Sequence, residues 1–166
     1  MADVKANYPA ASDVTITLAS LASDTNLLAG RESTAVDNSS NLYLDYLISG
    51  KITAGTSPTT ARSIQVWAVG SFDGSIWPDV FDGSDSTETV TSANHKNSVC
   101  RFIAEMATDA TSDRTYHFGP VSVASAFGGV MPKSFAVFVT HNTAVNLNST
   151  AGNHQIRIQP YYETVT

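Results

Sequence analysis

The sequence predicts an all-β fold, a single-domain antiparallel β-sandwich of jelly-roll type with long loops and an extended N-terminal arm. Short runs rich in β-branched and aromatic residues recur with a period of two, which is the spacing of a strand with one buried face. Eight or nine such runs, with no sustained helical pattern between them, are typical of a sandwich or jelly roll. The 166 residues contain no linker long enough to divide them, so one domain is expected.

The N-terminal segment is predicted to be an arm and the remainder a sandwich. Residues 1–12 are small and polar and include Pro9, whereas residues 13–166 carry the strand patterns. The first strand is predicted at 14–18, where apolar residues alternate with threonines. A mostly polar stretch follows as far as Asn41, with a short strand expected near Thr34–Val36.

Residues 41–53 form a strong strand pattern that is apolar on both faces. This indicates a central strand, or one that contacts a second subunit. One face carries Leu42, Leu44, Tyr46 and Ile48, and the other carries Tyr43, Asp45 and Leu47.

The segment Ser63–Val80 predicts a strand, a tight turn and a corner. Asp73-Gly74 is a hairpin signal, because glycine supplies the positive φ of a tight turn without strain. Trp77-Pro78 is expected to close the corner. In the strand, Ile64, Val66 and Ala68 share one face, while Gln65, Trp67 and Val69 share the other.

The C-terminal half contains further strands of unequal clarity. Asp79–Ala93 is predicted to be a long exposed loop. Ser98–Ala107 fits helical and strand spacing, and its turn-rich surroundings favour a strand. Strands are also expected at 114–120 and 134–142, with 121–129 running from a strand into a turn or a single helical turn. Asn153–Tyr162 predicts a one-sided strand with Ile156 and Ile158 facing inward.

The charge and composition of the chain limit the kinds of partner that it is expected to bind. Charged residues are 14% of the chain, below the roughly 25% of typical soluble domains, and neutral Thr, Ser and Asn take their place. Such a surface suits packing against other subunits, and it equally suits an extracellular sandwich. The net charge of −6 and the scattered basic residues argue against a nucleic-acid partner, which requires clustered Lys and Arg.

The N-terminus has no basic segment followed by an apolar one, so no signal peptide is predicted. No apolar run approaches the ~20 residues that span a bilayer, so no membrane partner is expected. The chain is therefore expected to be made in a cytoplasm and to reach any exterior position by assembly or lysis.

No catalytic, cofactor-binding or metal-binding residues are predicted, and an enzyme is not expected. Cys100 stands alone in an apolar run, which indicates a buried, inert thiol. The four histidines are too far apart in sequence to form a local metal motif; they are His95, His117, His141 and His154.

Two segments have alternative interpretations. Asp79, Asp82 and Asp85 surround a glycine turn and could bind calcium, but they do not match an EF-hand loop and also fit a solvated turn. The sequence GSFDGSIWPD is similar to a motif of discoidin-type carbohydrate-binding sandwiches, in which Trp67 and Trp77 would stack on a sugar. A tryptophan after a turn more often packs over the corner of the core.

Four segments together cover most of residues 35–165: AVDNSSNLYLDYLISGKITAGTSPT, SIQVWAVGSFDGSIWPDVFDGSDS, TSDRTYHFGPVSVASAFGGVMPKSFAVFVTHNTAVNLNS and GNHQIRIQPYYETV. They resemble a family of small bacteriophage virion structural proteins of the capsid decoration, or cement, type. The resemblance implies a jelly-roll sandwich on the capsid surface of a virion, made in the host bacterial cytoplasm. It carries no catalytic residues.

The resemblance also implies partners, namely the major capsid protein and copies of the chain itself in a homotrimer. The N-terminal arm and the exposed apolar residues of 42–48 would then lie at interfaces, since arms of this kind order against a partner. The alternative is a tail-associated fibre, baseplate or adhesion module. That module would bind host-surface glycan through the Trp67/Trp77 region of a discoidin-like sandwich.

Overall fold

The computed structural model describes residues 2–165 as two antiparallel sheets packed face to face, which confirms the all-β sandwich prediction. Met1 and Thr166, the outermost residues of the predicted arm and sandwich, lie outside the described residues. The described strands are β1 Val4–Asn7, β2 Ser12–Asp13, β3 Ala29–Glu32, β4 Val36–Asp37, β5 Asp45–Thr53, β6 Arg62–Ser71, β7 Ser86–Thr89, β8 Cys100–Thr108, β9 Thr115–Ser122, β10 Ser134–His141 and β11 Gln155–Val165. The described helices are α1 Ala93–Val99, α2 Val123–Ala126 and a 3-10 turn at Ala151–Asn153.

The strand order is that of a jelly roll. The first sheet has the order β1–β11–β5–β9, with β2 also on β11, and the second has the order β7–β3–β10–β6–β8, with β4 also on β10. The strand pairing is nested when β7 is left out and when β1/β2 and β3/β4 are each counted as one interrupted strand. The first strand pairs with the last, the second with the next to last, β5 with β9, and β6 with β8. This nested pairing, split between two sheets, is the jelly-roll arrangement.

The main core fills the space between the sheets. From the first sheet it receives Ile48 and Ile156, and from the second it receives Val66, Phe135 and Val137, all at most 1% exposed. The faces predicted for β6 are confirmed, since Ile64, Val66 and Ala68 lie in this core. The inward Ile156 and Ile158 of β11 are also confirmed.

A second apolar cluster lies on the outer face of the second sheet. The connection from β6 to β8, residues 72–99, packs over Val69 and Phe138 of that sheet. Phe81 meets the Phe138 ring edge-on, with ring centroids 5.2 Å apart. Every residue of β10 is therefore buried, because the strand is covered on both faces.

The strand predicted at 14–18 is wrong, although Val14 and Leu18 are buried as expected. The Val14 amide donates to Ile156 of the first sheet, while the Thr15 carbonyl accepts from Thr34 beside the second. This stretch crosses between the sheets, so it cannot form a continuous ladder with either. The alternation of apolar and polar residues at 14–18 therefore reflects side-chain burial and not strand pairing.

The tight turn predicted at Asp73-Gly74 is present, with Gly74 at φ +80°, but it does not join two paired strands. The partners of β6 are β10 and β8, and the next strand, β7, pairs with β3 in the same sheet. The predicted exposed loop at 79–93 is also wrong in part, because it contains β7 and buries Phe81 and Val90.

Other elements match their predictions more closely. Residues 100–108 form a strand, as favoured, but the helix α1 that precedes it was not predicted. The 41–53 strand begins only at Asp45, and it is central, between β11 and β9. The single helical turn after residue 121 is α2.

The predicted arm contacts its own chain. Residues 4–7 pair with residues 162–165, and residues 12–13 pair with Arg157 and Ile158. None of the helices within residues 2–165 combines the length and apolar character needed to cross a bilayer.

Candidate functional site

Most of the exposed large apolar side chains of residues 2–165 lie at one end of the sandwich. Phe72 is 93% exposed, and Ile76 and Val130 are each 75% exposed. We call this surface the apolar end. Its members are Val4, Tyr8, Leu42, Leu44, Phe72, Ile76, Val130 and Val165. Phe102 is also exposed, but it lies opposite Trp67 in the middle of β6.

Strand register places these residues together. Tyr161 lies opposite Asp45, where β5 begins, and Ser71 at the end of β6 lies opposite Ser134, where β10 begins. The Tyr46 and Phe135 rings, 5.4 Å apart, join the two sheets at this end. The connections 38–44, 72–85 and 127–133 therefore emerge side by side.

The turn after β6 holds Phe72 and Ile76 outward. The Asp73 carboxylate accepts hydrogen bonds from the Ser75 and Ile76 amides at 2.8 Å each. These bonds, with that from Ile76 first, lower the pKa of Asp73. The Ser71 hydroxyl donates to the Ile76 carbonyl at 2.7 Å and accepts from the Gly74 amide. Exposure of these two apolar side chains thus comes from an ordered, hydrogen-bonded turn.

A cleft of about 240 Å³ lies beside this turn. Its floor is the backbone of β6 and its walls are mainly aromatic, aliphatic and proline side chains, with one cation. The lining residues are Gly70, Ser71, Phe72, Pro78, Val99, Arg101, Phe127 and Pro132.

The other part of the apolar end surrounds the start of β5 and the terminal strands. Asn38 orders it, since its side-chain amide donates to the Tyr43 carbonyl and its side-chain oxygen accepts from the Tyr43 amide. Leu42 and Leu44 flank Tyr43 and are 67% and 51% exposed. Nearby rings pack in pairs, Tyr8 with Tyr161 and Tyr43 with Tyr162.

The opposite end of the sandwich has a different chemistry. A shallow depression there is lined mainly by hydroxyl, amide and carboxylate side chains. Its residues are Ser20, Gly55, Thr56, Asp113, Val145, Asn146, Leu147, Asn148 and Ser149. Large exposed apolar patches mark interaction surfaces in soluble proteins, so the contrast between the two ends identifies the apolar end as the candidate site.

The three aspartates considered for calcium point to different partners. Asp79 accepts from the Thr91 amide and hydroxyl, and Asp82 accepts from the Ser84 amide. Asp85 pairs with Arg31 and binds Thr17. Within residues 2–165, no three His, Cys, Asp or Glu side chains are placed to share a metal ion.

Trp67 and Trp77 both pack against the second cluster. The Lys96 ammonium lies 4.6 Å from the Trp67 ring centroid, and Phe102 meets that ring edge-on at 5.2 Å. The Trp77 indole donates to the Gly74 carbonyl and lies against Gly83. These contacts match the corner-packing interpretation of Trp77, and the most exposed ring near the turn belongs to Phe72.

The remaining reactive side chains have structural neighbours. Cys100 is 2% exposed, and burial raises the pKa of its thiol to about 12. His141 is fully buried between Thr143 and the Leu21 carbonyl, and burial lowers its pKa to about 4. His154 contacts the Asn148 carbonyl at 2.8 Å.

Two buried charged residues were not predicted. Glu32 is fully buried, and its carboxylate accepts from the Gly83 and Asp82 amides. Lys96 is 5% exposed and donates to the Leu27 carbonyl and the Gln65 side chain. Both side chains attach the β6–β8 connection to the second sheet, and no local sequence signal distinguishes them from surface charges.

No family model, curated protein or solved structure matches the chain.

Proposed function

We propose that the chain is a non-enzymatic virion structural protein, a capsid decoration protein that binds the head surface of a bacteriophage through its apolar end. The observation that carries this proposal is that most of the exposed large apolar residues lie at a single end of the sandwich. A surface of this kind, held by ordered turns, is suited to burial against another protein. The major capsid protein is the proposed partner.

Further observations support the same role. The jelly roll buries its core between two sheets without a disulfide, since Cys100 is the sequence's one cysteine. The low charged fraction suits extensive subunit contacts. The segments expected at interfaces, the N-terminal arm and residues 42–48, contribute Val4, Tyr8, Leu42 and Leu44 to the apolar end.

The first test is location and copy number. Tail-free heads of the phage that encodes the chain should contain it in hundreds of copies, as measured by quantitative mass spectrometry. Heads that lack the protein would overturn the proposal. A few copies found only in tails would instead favour the adhesion module, which predicts glycan binding that is lost in Trp77→Ala.

The second test is binding to undecorated heads by cosedimentation. Phe72→Ser combined with Ile76→Ser should weaken binding at least about tenfold, because exposed apolar anchors at the centre of an interface carry most of its energy. Ala151→Ser at the opposite, polar end is the matched control and should bind like the unmodified chain. Equal binding by all three proteins would show that Phe72 and Ile76 are not part of the contact.

A further inference from the structure

The cleft at the apolar end combines an apolar interior with a single positive charge. Phe72, Phe127, Pro78, Pro132 and Val99 supply its apolar surface, and Arg101 is its one charged lining residue. Its volume of about 240 Å³ is below the roughly 300–1,000 Å³ of drug-sized pockets, which suits one large side chain and little more.

Arg101 is available to a partner. Its guanidinium donates one hydrogen bond, from Nη1 to the Ser98 carbonyl at 3.0 Å, and its side chain is exposed. The ion pairs within residues 2–165 use Arg31, Arg114 and Arg157 and do not include Arg101. The remaining guanidinium N–H groups can therefore meet a carboxylate, which Arg binds in a two-bond geometry.

The acidic groups near the cleft are already engaged. The Asp73 carboxylate is held by the Ser75 and Ile76 amides, and that of Asp79 by Thr91. Lys133, next to Pro132, is exposed and adds a second positive charge to this end. Neither carboxylate is bonded to Arg101, so the guanidinium that lines the cleft is outside the ion pairs of residues 2–165.

The cleft is built before any ligand arrives. A Cβ on Gly70 would lie 2.9 Å from Phe127 Cε1 and 3.2 Å from Pro132 Cγ, so a larger residue there would displace these two walls. Phe127 follows α2, and its amide is bonded to the Ala124 carbonyl. Two prolines and the hydrogen-bonded 71–76 turn complete the frame, which reduces the entropy lost on binding.

We propose that this cleft binds an extended segment of a partner protein through one aromatic or branched aliphatic side chain next to an Asp or Glu. The apolar side chain lies in the cleft against Phe127 and Pro132, and the neighbouring carboxylate meets Arg101. This goes beyond the proposed function, because it assigns a ligand chemistry to the cleft whichever particle supplies the segment.

The test is a nuclear magnetic resonance titration of the full chain with three blocked dipeptides. N-acetyl-Phe-Asp-amide should shift the amide signals of Gly70, Ser71, Arg101 and Phe127, with weak affinity, as expected for so small a ligand. N-acetyl-Phe-Asn-amide keeps the shape and removes the charge, and N-acetyl-Ala-Asp-amide removes the apolar anchor. Both should bind at least about fivefold more weakly.

Variants separate the charge from the fold. Arg101→Gln should bind the Phe-Asp and Phe-Asn peptides equally, whereas Arg62→Gln, at the opposite end of β6, should keep the preference for Asp. Unchanged melting temperatures would show that both variants fold. The proposal is overturned if signals move elsewhere, if Phe-Asp and Phe-Asn bind the unmodified chain equally, or if Arg101→Gln keeps the preference.

The peptide result is independent of the capsid assay. A selective cleft in a chain that does not bind heads would reject the decoration role and keep the cleft assignment. Binding to heads by a chain that does not distinguish the Phe-Asp and Phe-Asn peptides would keep the decoration role and reject the cleft assignment.

Discussion

At the residue scale, Glu32 shows how burial and charge oppose each other in this fold. The side chain extends from the end of β3 and is fully buried beneath the 82–83 turn. Burial raises the pKa of Glu32 to about 7, and the nearby Asp82 and Glu88 charges add to the rise, against the lowering effect of the Gly83 and Asp82 amides. The carboxyl therefore changes its charge near neutral pH while it holds the turn in place.

Glu32→Gln should remove a pH dependence of stability. The folded chain binds this proton up to about pH 7, whereas the unfolded carboxyl releases it near the ordinary value of 4.5. Stability from this group is thus complete below pH 4.5 and falls as pH rises toward 7, with a slope approaching about 1.4 kcal/mol per pH unit. Urea unfolding of both proteins from pH 4.5 to 8 measures the difference.

The Glu32→Gln variant must be compared with the unmodified chain because His141 changes the stability with pH in the opposite direction. Burial lowers the pKa of His141 to about 4, so its contribution is lost as pH falls below the ordinary 6.5. Subtracting the Glu32→Gln curve from that of the unmodified chain cancels this common contribution. A flat difference curve would show that Glu32 does not titrate in this range.

At the element scale, the connection between β6 and β8 behaves as a second layer of the core. It supplies β7 to the edge of the second sheet, α1 with the buried Lys96, and the apolar side chains of the second cluster. Ser92 caps α1 by accepting from the His95 amide, which fixes where the helix begins. The β6–β8 connection is therefore an ordered and packed part of the fold.

Phe81→Ala should test this layer. Phe81 is 4% exposed and packs on Phe138, so truncation leaves a cavity and should cost about 3–5 kcal/mol of unfolding free energy. The matched control is Phe72→Ala, in the same connection but 93% exposed, which should change stability by no more than about 0.5 kcal/mol. Chemical denaturation gives both values, and equal small losses would show that the layer is loosely packed.

The strands with clear alternation could be predicted from the sequence, and the covering layer could not. In β11, Ile156 and Ile158 alternate with polar residues because one face meets water and the other meets the core. In the 79–99 stretch, Phe81 and Val90 are buried nine positions apart, with a turn and the short strand β7 between them, so burial follows no single period. Residues 14–18 show the converse, since alternation there accompanies burial without pairing.

At the scale of the whole molecule, the jelly-roll topology brings the candidate site together. Leu42 and Phe72 belong to different connections and look like ordinary strand-flanking residues in the sequence. They share an end because Tyr46, near the start of β5, packs on Phe135, near the start of β10, and β10 begins opposite the end of β6. The sequence therefore indicated residues 42–48 and the arm as candidates for an interface. That they lie at the same end as Phe72 depends on long-range strand pairing, which the sequence pattern does not give.

The terminal strands give the final prediction, on self-association. Residues 162–165 extend past Tyr161, the last β11 partner of β5, so they pair with β1 alone in a two-stranded ribbon. Such a ribbon is marginally stable by itself, and Val4 and Val165 on it are exposed beside Leu42 and Leu44. We therefore expect a neighbouring copy to cover this part of the apolar end, in the trimer that the resemblance to capsid decoration proteins implies.

Leu42→Ser combined with Leu44→Ser should shift that trimer toward monomer in sedimentation velocity, because both side chains would lose an apolar contact that each copy supplies. Phe72→Ser, on the cleft side of the same end, should leave the trimer intact, since the cleft is proposed to face a different protein. An unmodified chain that sediments as a monomer at all concentrations would contradict the expected trimer. A Phe72→Ser variant that dissociates instead would place the subunit contact at the cleft, and the terminal ribbon would then be free to meet the capsid.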